Sequence, residues 1–259
     1  DDDAWGAIAA WSWAISRYID YLETRDRECE TNYCNIINTQ QIAVVGQSRG
    51  GKTALWAAAQ DERIAMACSN NSGCTGASLS RHLVPPTPDN NNNNSRMSRG
   101  SETIEQINTR FPHWFCRNYR QYNHAEHELP IDQHQLLALI APRTIHVASA
   151  NDDVWADPQG EYLATCEASK VWSKVYGFKD VDKDADAEED CNSKLLPLDP
   201  TTTTTTTNTD DDDPQPPVLD QCLSSHQHRV NYHKRSGNHD LTLFDWQQYI
   251  QTAKHVFFQ

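Results

Sequence analysis

Apolar positions along this chain switch repeatedly between a period near 3.6 and short continuous runs, the mark of alternating helices and strands. From Trp5 to Leu22 they recur at helical spacing on more than one face, which predicts a helix packed against a sheet and assigns Trp5, Trp11 and Trp13 to the core. A polar connection, 25–39, leads to a buried strand over Ile42 to Val45 and a helix running to about Gln60. After the turn at Asp61 to Arg63, a second strand covers Ile64 to Cys68 and ends in a polar loop. The stretch beginning SETIE (101–105) opens another helix, with Ser101 and a nearby glutamate as its expected cap.

Farther on, the aromatic-rich stretch Phe111 to Asn123 reads as a cap packed over a site. A helix is predicted over Gln133 to Ile140, stopped by Pro142. Alternation over Thr144 to Ser149 predicts a third strand, and Glu161 to Tyr176 a helix. The last strand and helix fall at Val230 to His233 and Trp246 to Phe258. This alternation implies an α/β fold: a mostly parallel sheet with helices on both faces in a single catalytic domain over 1–259.

Between these elements lie segments too polar to order themselves. Five asparagines occupy 90–94, and 177–221 collapses into acidic and threonine-rich sequence that reads as a disordered insertion. Twelve acidic residues against two lysines between 180 and 213 carry most of the net charge of -14. That balance excludes nucleic acid as a partner. No apolar run is long enough to span a bilayer, and no signal peptide is visible. The opening DDDAWGAIAAWSW reads as the interior of a helical element, so a missing N-terminal part is expected. Eight cysteines at irregular spacing suit an exported, disulfide-bonded protein, and none has the C-x-x-C spacing of a zinc or redox site.

The chemistry concentrates after the first strand, where QIAVVGQSRGGKTAL carries two motifs on the same residues. Gly46 to Gly50 is a G-x-S-x-G nucleophile elbow presenting Ser48 on a strained strand-to-helix turn. Gly46 to Thr53 is also a phosphate-loop match in which Lys52 would cradle phosphates. Position along the chain favours the elbow. Ser48, the Asp152/Asp153 pair and His239 each follow a predicted strand, and Ser…Asp…His is the triad order of α/β-hydrolases. A serine hydroxyl needs a histidine to take its proton and a carboxylate to orient that histidine. Histidines at 124, 127 and 134, or at 226, 228 and 233, have ligand-like spacing but no matching cysteine or acid pattern, so no metal is expected.

On these residues the chain resembles the glucuronoyl esterases of carbohydrate esterase family 15, especially the bacterial branch. GQSRGGKTALWAAAQDERIA, SNNSGCTGASLSRH, INTRFPHWFCRNYRQYN, ELPIDQHQLLALIAPR, ASANDDVWADPQGEYL and SGNHDLTLFDWQQYI are similar to family blocks in family order. The resemblance implies an α/β-hydrolase three-layer sandwich, of which this chain holds the C-terminal half of the sheet, with one strand edge left open. It implies hydrolysis of (4-O-methyl-)glucuronate esters, as in lignin–xylan linkages, by a secreted, monomeric enzyme without a cofactor. Ser48 would be the nucleophile, His239 the general base and acid, and Arg49 the oxyanion stabiliser. Lys52, Glu102 and Trp155 would contact the glucuronate ring. The glutamate that some members carry after the second of these strands is Asn71 here, which points to the acid after the third: Asp153, with Asp152 second. The cysteine that fungal members carry beside the nucleophile is Gln47. The alternatives are an acetyl or acyl esterase, an inactive hydrolase-fold binding protein and, more remotely, a phosphate-loop nucleotide binder.

Overall fold

The computed structural model describes residues 2–28, 37–86, 100–178, 219–225 and 229–258. Helix α1 (Ala7–Glu28) precedes β1 (Ile42–Gln47), α2 (Arg49–Gln60) and β2 (Ile64–Asn70). Next come the short helices α3 (Ile104–Arg110) and α4 (Gln133–Ala138), then β3 (Thr144–Ala150) and α5 (Pro158–Lys174). Strands β4 (Leu219–Ser225) and β5 (Val230–Arg235) lead to the closing helix α6 (Leu243–Phe257).

The strands form one sheet in the order β1-β2-β3-β5-β4, parallel except for β4, which runs antiparallel to β5. Alternation along each strand sorts side chains to two faces. Ala67 of β2, Ile145 and Val147 of β3, and Val230 and Tyr232 of β5 meet Leu55 and Ala58 of α2, Leu137 of α4 and Trp172 of α5. On the opposite face Met66, Cys68 and Ala148 pack against Tyr249 of α6. Helices thus cover both faces, as the sequence pattern implies, and the fold is that of an α/β-hydrolase.

Several sequence expectations need correction. Trp5, Trp11 and Trp13 are exposed, because α1 buries only a narrow stripe that includes Ile8, Ser12 and Ile19. The helix after Gly100 is capped by Thr103 and Gln106, which exchange bonds in a capping box, while the Ser101 hydroxyl accepts from the Val84 N–H. Strand β4 begins inside the segment read as a disordered insertion, where the aspartates and prolines just before it hide its few apolar positions. Most of that segment, and the asparagine run at 90–94, lie outside the described residues. Cys68, Cys74, Cys116 and Cys166 are free thiols, three of them buried, which corrects the disulfide expectation for these four. Burial in apolar surroundings pushes the Cys68 and Cys74 thiols up, Cys74 to about 12, so they behave as small core side chains.

On its outer side β1 has no partner strand among the described residues. An open apolar groove of about 770 Å3 runs along it, lined by Ile15, Tyr18, Ile42, Val44 and Phe257 among others. Near the C-terminal part of α1, Arg63 bridges to Asp20 and Glu23 at 2.7 and 3.2 Å and also pairs with Asp61, locking α1 to the turn before β2.

Leu137 sits fully buried between α2 and α5. Leu137→Ala is expected to lower unfolding free energy by about 2–5 kcal/mol, measured by urea denaturation.

Candidate active site

Strand register sets the site. Gln47 aligns with Asn70, Asn70 with Ala148, and Ala148 with His233, so the carboxyl ends of β1, β2, β3 and β5 finish side by side. Sites in parallel sheets form beyond such ends. Ser48 follows β1 directly and adopts φ 55, ψ -124, a conformation outside the regions that L residues favour. Its N–H donates to the Asn70 carbonyl at 2.8 Å, and its own carbonyl accepts the first bonds of α2 from Gly51 and Lys52. The turn is tight enough to require glycine: a Cβ on Gly46 would lie 2.0 Å from the Gly50 carbonyl oxygen. The Ser48 side chain makes no capping bond to α2.

Four residues beyond β5, the His239 imidazole meets Asp153, which follows β3: Nδ1 and Oδ2 are 2.6 Å apart. Asp153 is buried and His239 exposed, so the carboxylate fixes one edge of the ring and leaves the other open. That bond raises the His239 pKa above the ordinary histidine value, against a smaller opposing effect of burial. Asp152, the second candidate acid, is exposed; its backbone N–H donates to the Gly237 carbonyl at 3.1 Å. Gln47 Nε2 donates to the His239 carbonyl at 3.2 Å, tying the serine turn to the histidine loop. Asn71 donates to the side chain of Asn70 and to the carbonyl of Asp240.

Arg49 is exposed at the first turn of α2, beside the serine. Lys52 is buried, and its ammonium donates to the carbonyls of Ser72, at 2.5 Å, and Cys74. The family resemblance implies a contact between Lys52 and the glucuronate ring; in the structure two of its three protons are committed to the carbonyls of this loop. Burial lowers its pKa, and the carboxylates of Glu102, Glu161 and Asp153 oppose that shift. Glu102 and Trp155 are brought together: the Glu102 N–H donates to the Trp155 carbonyl at 3.0 Å, and their side chains are hydrogen-bonded. Burial raises the Glu102 pKa, against Lys52 and that bond. Arg110 lies over the Trp155 ring at 5.4 Å. Among the described residues no group of three histidines, cysteines or carboxylates is arranged to hold a metal ion. His233 instead pairs with His146 and Asp245 inside the fold.

Sequence reasoning missed Glu161. This fully buried carboxylate accepts from the N–H groups of Ser72 and Gly73 and from the hydroxyls of Ser72 and Ser149. The available signal was a charged residue in the first turn of a helix that starts one loop after the candidate acid. Burial pushes its carboxyl up to about 7, with the Ser149 and Ser72 hydroxyls and the Gly73 N–H opposing.

A family model described as fungal glucuronyl esterase matches residues 1–176. The chain belongs to the glucuronyl esterase family. Among its relatives, carbohydrate esterase MZ0003 from an unknown prokaryotic organism is 39% identical over 251 residues, 97% of this chain and 44% of that protein. The 4-O-methyl-glucuronoyl methylesterase 1 of Phanerochaete chrysosporium is 33% identical over 180 residues, covering 68% of this chain and 35% of that enzyme. In solved structures, a promiscuous CE15 esterase from a marine bacterial metagenome superposes with TM-score 0.69 at 38% identity, over 98% of this chain and 49% of that one. This glucuronyl esterase family member therefore spans less than half the length of these two curated relatives.

Glu161 gives a pH signature. A carboxyl held at about 7 in the fold and near 4.5 in the unfolded chain favours folding while protonated. That contribution is complete below about pH 4.5 and is lost as pH rises through 7. Urea midpoints of the wild type and Glu161→Gln should therefore converge or cross between pH 5 and 8, with the wild type relatively better at the acid end.

Proposed function

We propose that this protein is a serine carbohydrate esterase that hydrolyses esters of (4-O-methyl-)glucuronate, as in lignin–xylan linkages. The observation that carries the proposal is the 2.6 Å His239–Asp153 pair beside the strained Ser48 turn. Family membership and the names of the relatives support the substrate class. The site is read as follows. Ser48 Oγ attacks the ester carbonyl carbon while His239 Nε2 takes its proton, and Asp153 holds the imidazole and stabilises the imidazolium. The tetrahedral intermediate's negative oxygen is met by the Arg49 backbone N–H and guanidinium. Collapse breaks the C–O bond to the alcohol, which leaves with the proton from His239. Water, activated by the same histidine, then releases the free uronate and restores Ser48.

Glu102 and Trp155 form one wall of the sugar site, where a carboxylate accepts from ring hydroxyls and the indole covers an apolar face. Lys52 supports that wall through its charge and the loop carbonyls it holds. The protein acts as a secreted monomer without a cofactor. One relative's description as promiscuous favours a second reading, in which simple acyl esters are also turned over.

The test is hydrolysis of benzyl glucuronate against an acetyl ester control, with Ser48→Ala alongside. Uronate ester turnover abolished in the variant is expected; equal turnover by the variant would refute the nucleophile. Asp153→Asn should lose far more kcat than Asp152→Asn. Because the His239 pKa is raised, kcat/KM should fall as pH drops through a midpoint above the ordinary histidine value. Arg49→Ala should lower kcat by roughly 100- to 1,000-fold, about 3–4 kcal/mol, with little change in KM. Lys52→Ala should act chiefly on KM, and the opposite split in steady-state kinetics would reverse the two assignments.

A further inference from the structure

The loop carrying His239 is held by its main chain. Each of five successive carbonyls, from Ser236 to Asp240, accepts a hydrogen bond from outside the loop's own tip. Arg235 Nη1 donates to Ser236 and Asn238 at 3.1 and 3.4 Å, and Nη2 donates to Asp240. The Asp152 N–H serves Gly237, and Gln47 serves His239. Three of the five therefore take a donor from one guanidinium, Asp240 sharing it with the Asn71 side chain. It lies at the end of β5, 2% exposed, with Nε donating to both oxygens of Asp245 at 3.1 and 2.9 Å. Asp245 is fully buried and fixed in turn: it closes the capping box of α6 with Thr242 and lies 2.9 Å from His233.

We propose that Arg235, locked by Asp245, is the positioning residue that sets the His239 ring against Asp153. The ring itself is exposed, so packing does not orient it; backbone placement must. A planar guanidinium presents five N–H donors in a fixed fork, and here the fork is spent on one carboxylate and three carbonyls. An ammonium at the same place is a single point of donation and does not reproduce that spread. Gly237 is built around the same group. It has φ +99, and a Cβ there would lie 3.3 Å from Nη1, so the loop closes down on the guanidinium. The histidine's place is thereby referred to β5 and α6, elements of the sheet's core.

The proposal rests on His239 being the general base, and the test keeps the two separable. Proton NMR of the full chain should show a low-field resonance from the His239 Nδ1–H shared with Asp153, assigned by its loss in His239→Gln. In Arg235→Lys, folded by circular dichroism and cooperative unfolding, that resonance should disappear or move upfield. Benzyl glucuronate hydrolysis should fall about 100-fold in kcat, the cost of a misplacement of about 1 Å, with KM within twofold. Fluorophosphonate labelling of Ser48 should slow in parallel, and the pH midpoint of kcat/KM should fall toward the ordinary histidine value. Free guanidinium ion should restore part of the rate to Arg235→Ala. Arg235→Lys with wild-type resonance, kcat and midpoint would overturn the proposal, as would a loss confined to KM or a failure of both Arg235 variants to fold. A wild type that shows the resonance but neither labels nor turns over ester would overturn the esterase reading alone.

Discussion

Under the sheet's carboxyl edge, the Lys52 ammonium and the Glu161 carboxylate grip one short loop from opposite directions. Lys52 takes the carbonyls of Ser72 and Cys74, and Glu161 takes the N–H groups of Ser72 and Gly73. Charged groups this deeply buried are tolerable only when their lone pairs and protons are satisfied. Here the loop's own peptide groups do most of that. The pairing fixes the height of the 72–74 loop against α2 and α5 at once, and with it the floor on which Ser48 and Glu102 stand. Small residues make this possible: a Cβ on Gly51 would lie 2.9 Å from Ser69 Oγ and from the Ser72 Cβ. Helix α2 can thus bring the lysine down to the loop.

The proposed chemistry draws on three loops of different character. The turn at Ser48 is strained and short, held by the hydrogen bonds that start α2. Asp153 sits at the N-cap position of a single 3-10 turn, Val154–Ala156, which leads into α5 through Asp157. The His239 loop has no regular structure and is fastened by donors from β1, β5 and the loop after β3. Strand register brings these together and hydrogen bonds between the loops fasten them, which is why a site of such separated parts can be assembled from a parallel sheet.

Much of this was legible in the chain itself. Strand and helix placement followed from apolar periodicity, and G-x-S-x-G with later Asp and His residues at strand ends marked the residues that the structure gathers. The choice between Asp152 and Asp153 was not a matter of periodicity. Adjacent loop residues point to opposite sides, and only the resemblance to relatives favoured the buried one. Trp5, Trp11 and Trp13 misled because aromatic content signals burial only on average. Their helix presents them away from the stripe that meets α2. Glu161, Arg235 and Asp245 were silent because a buried charge reads locally like a solvated one. What distinguishes them is partners that lie 10 to 89 positions away along the chain.

Fastening a loop by its carbonyls separates its shape from its sequence. Ser236, Asn238 and Asp240 have exposed side chains, while the loop's path is dictated by Arg235, Gln47, Asn71 and the Asp152 N–H. Exchanges at these three positions are expected to alter charge and bulk beside the imidazole without moving it. Under the proposed esterase reading, the sequence beside the histidine can therefore vary while the bonds that set the histidine's place stay constant.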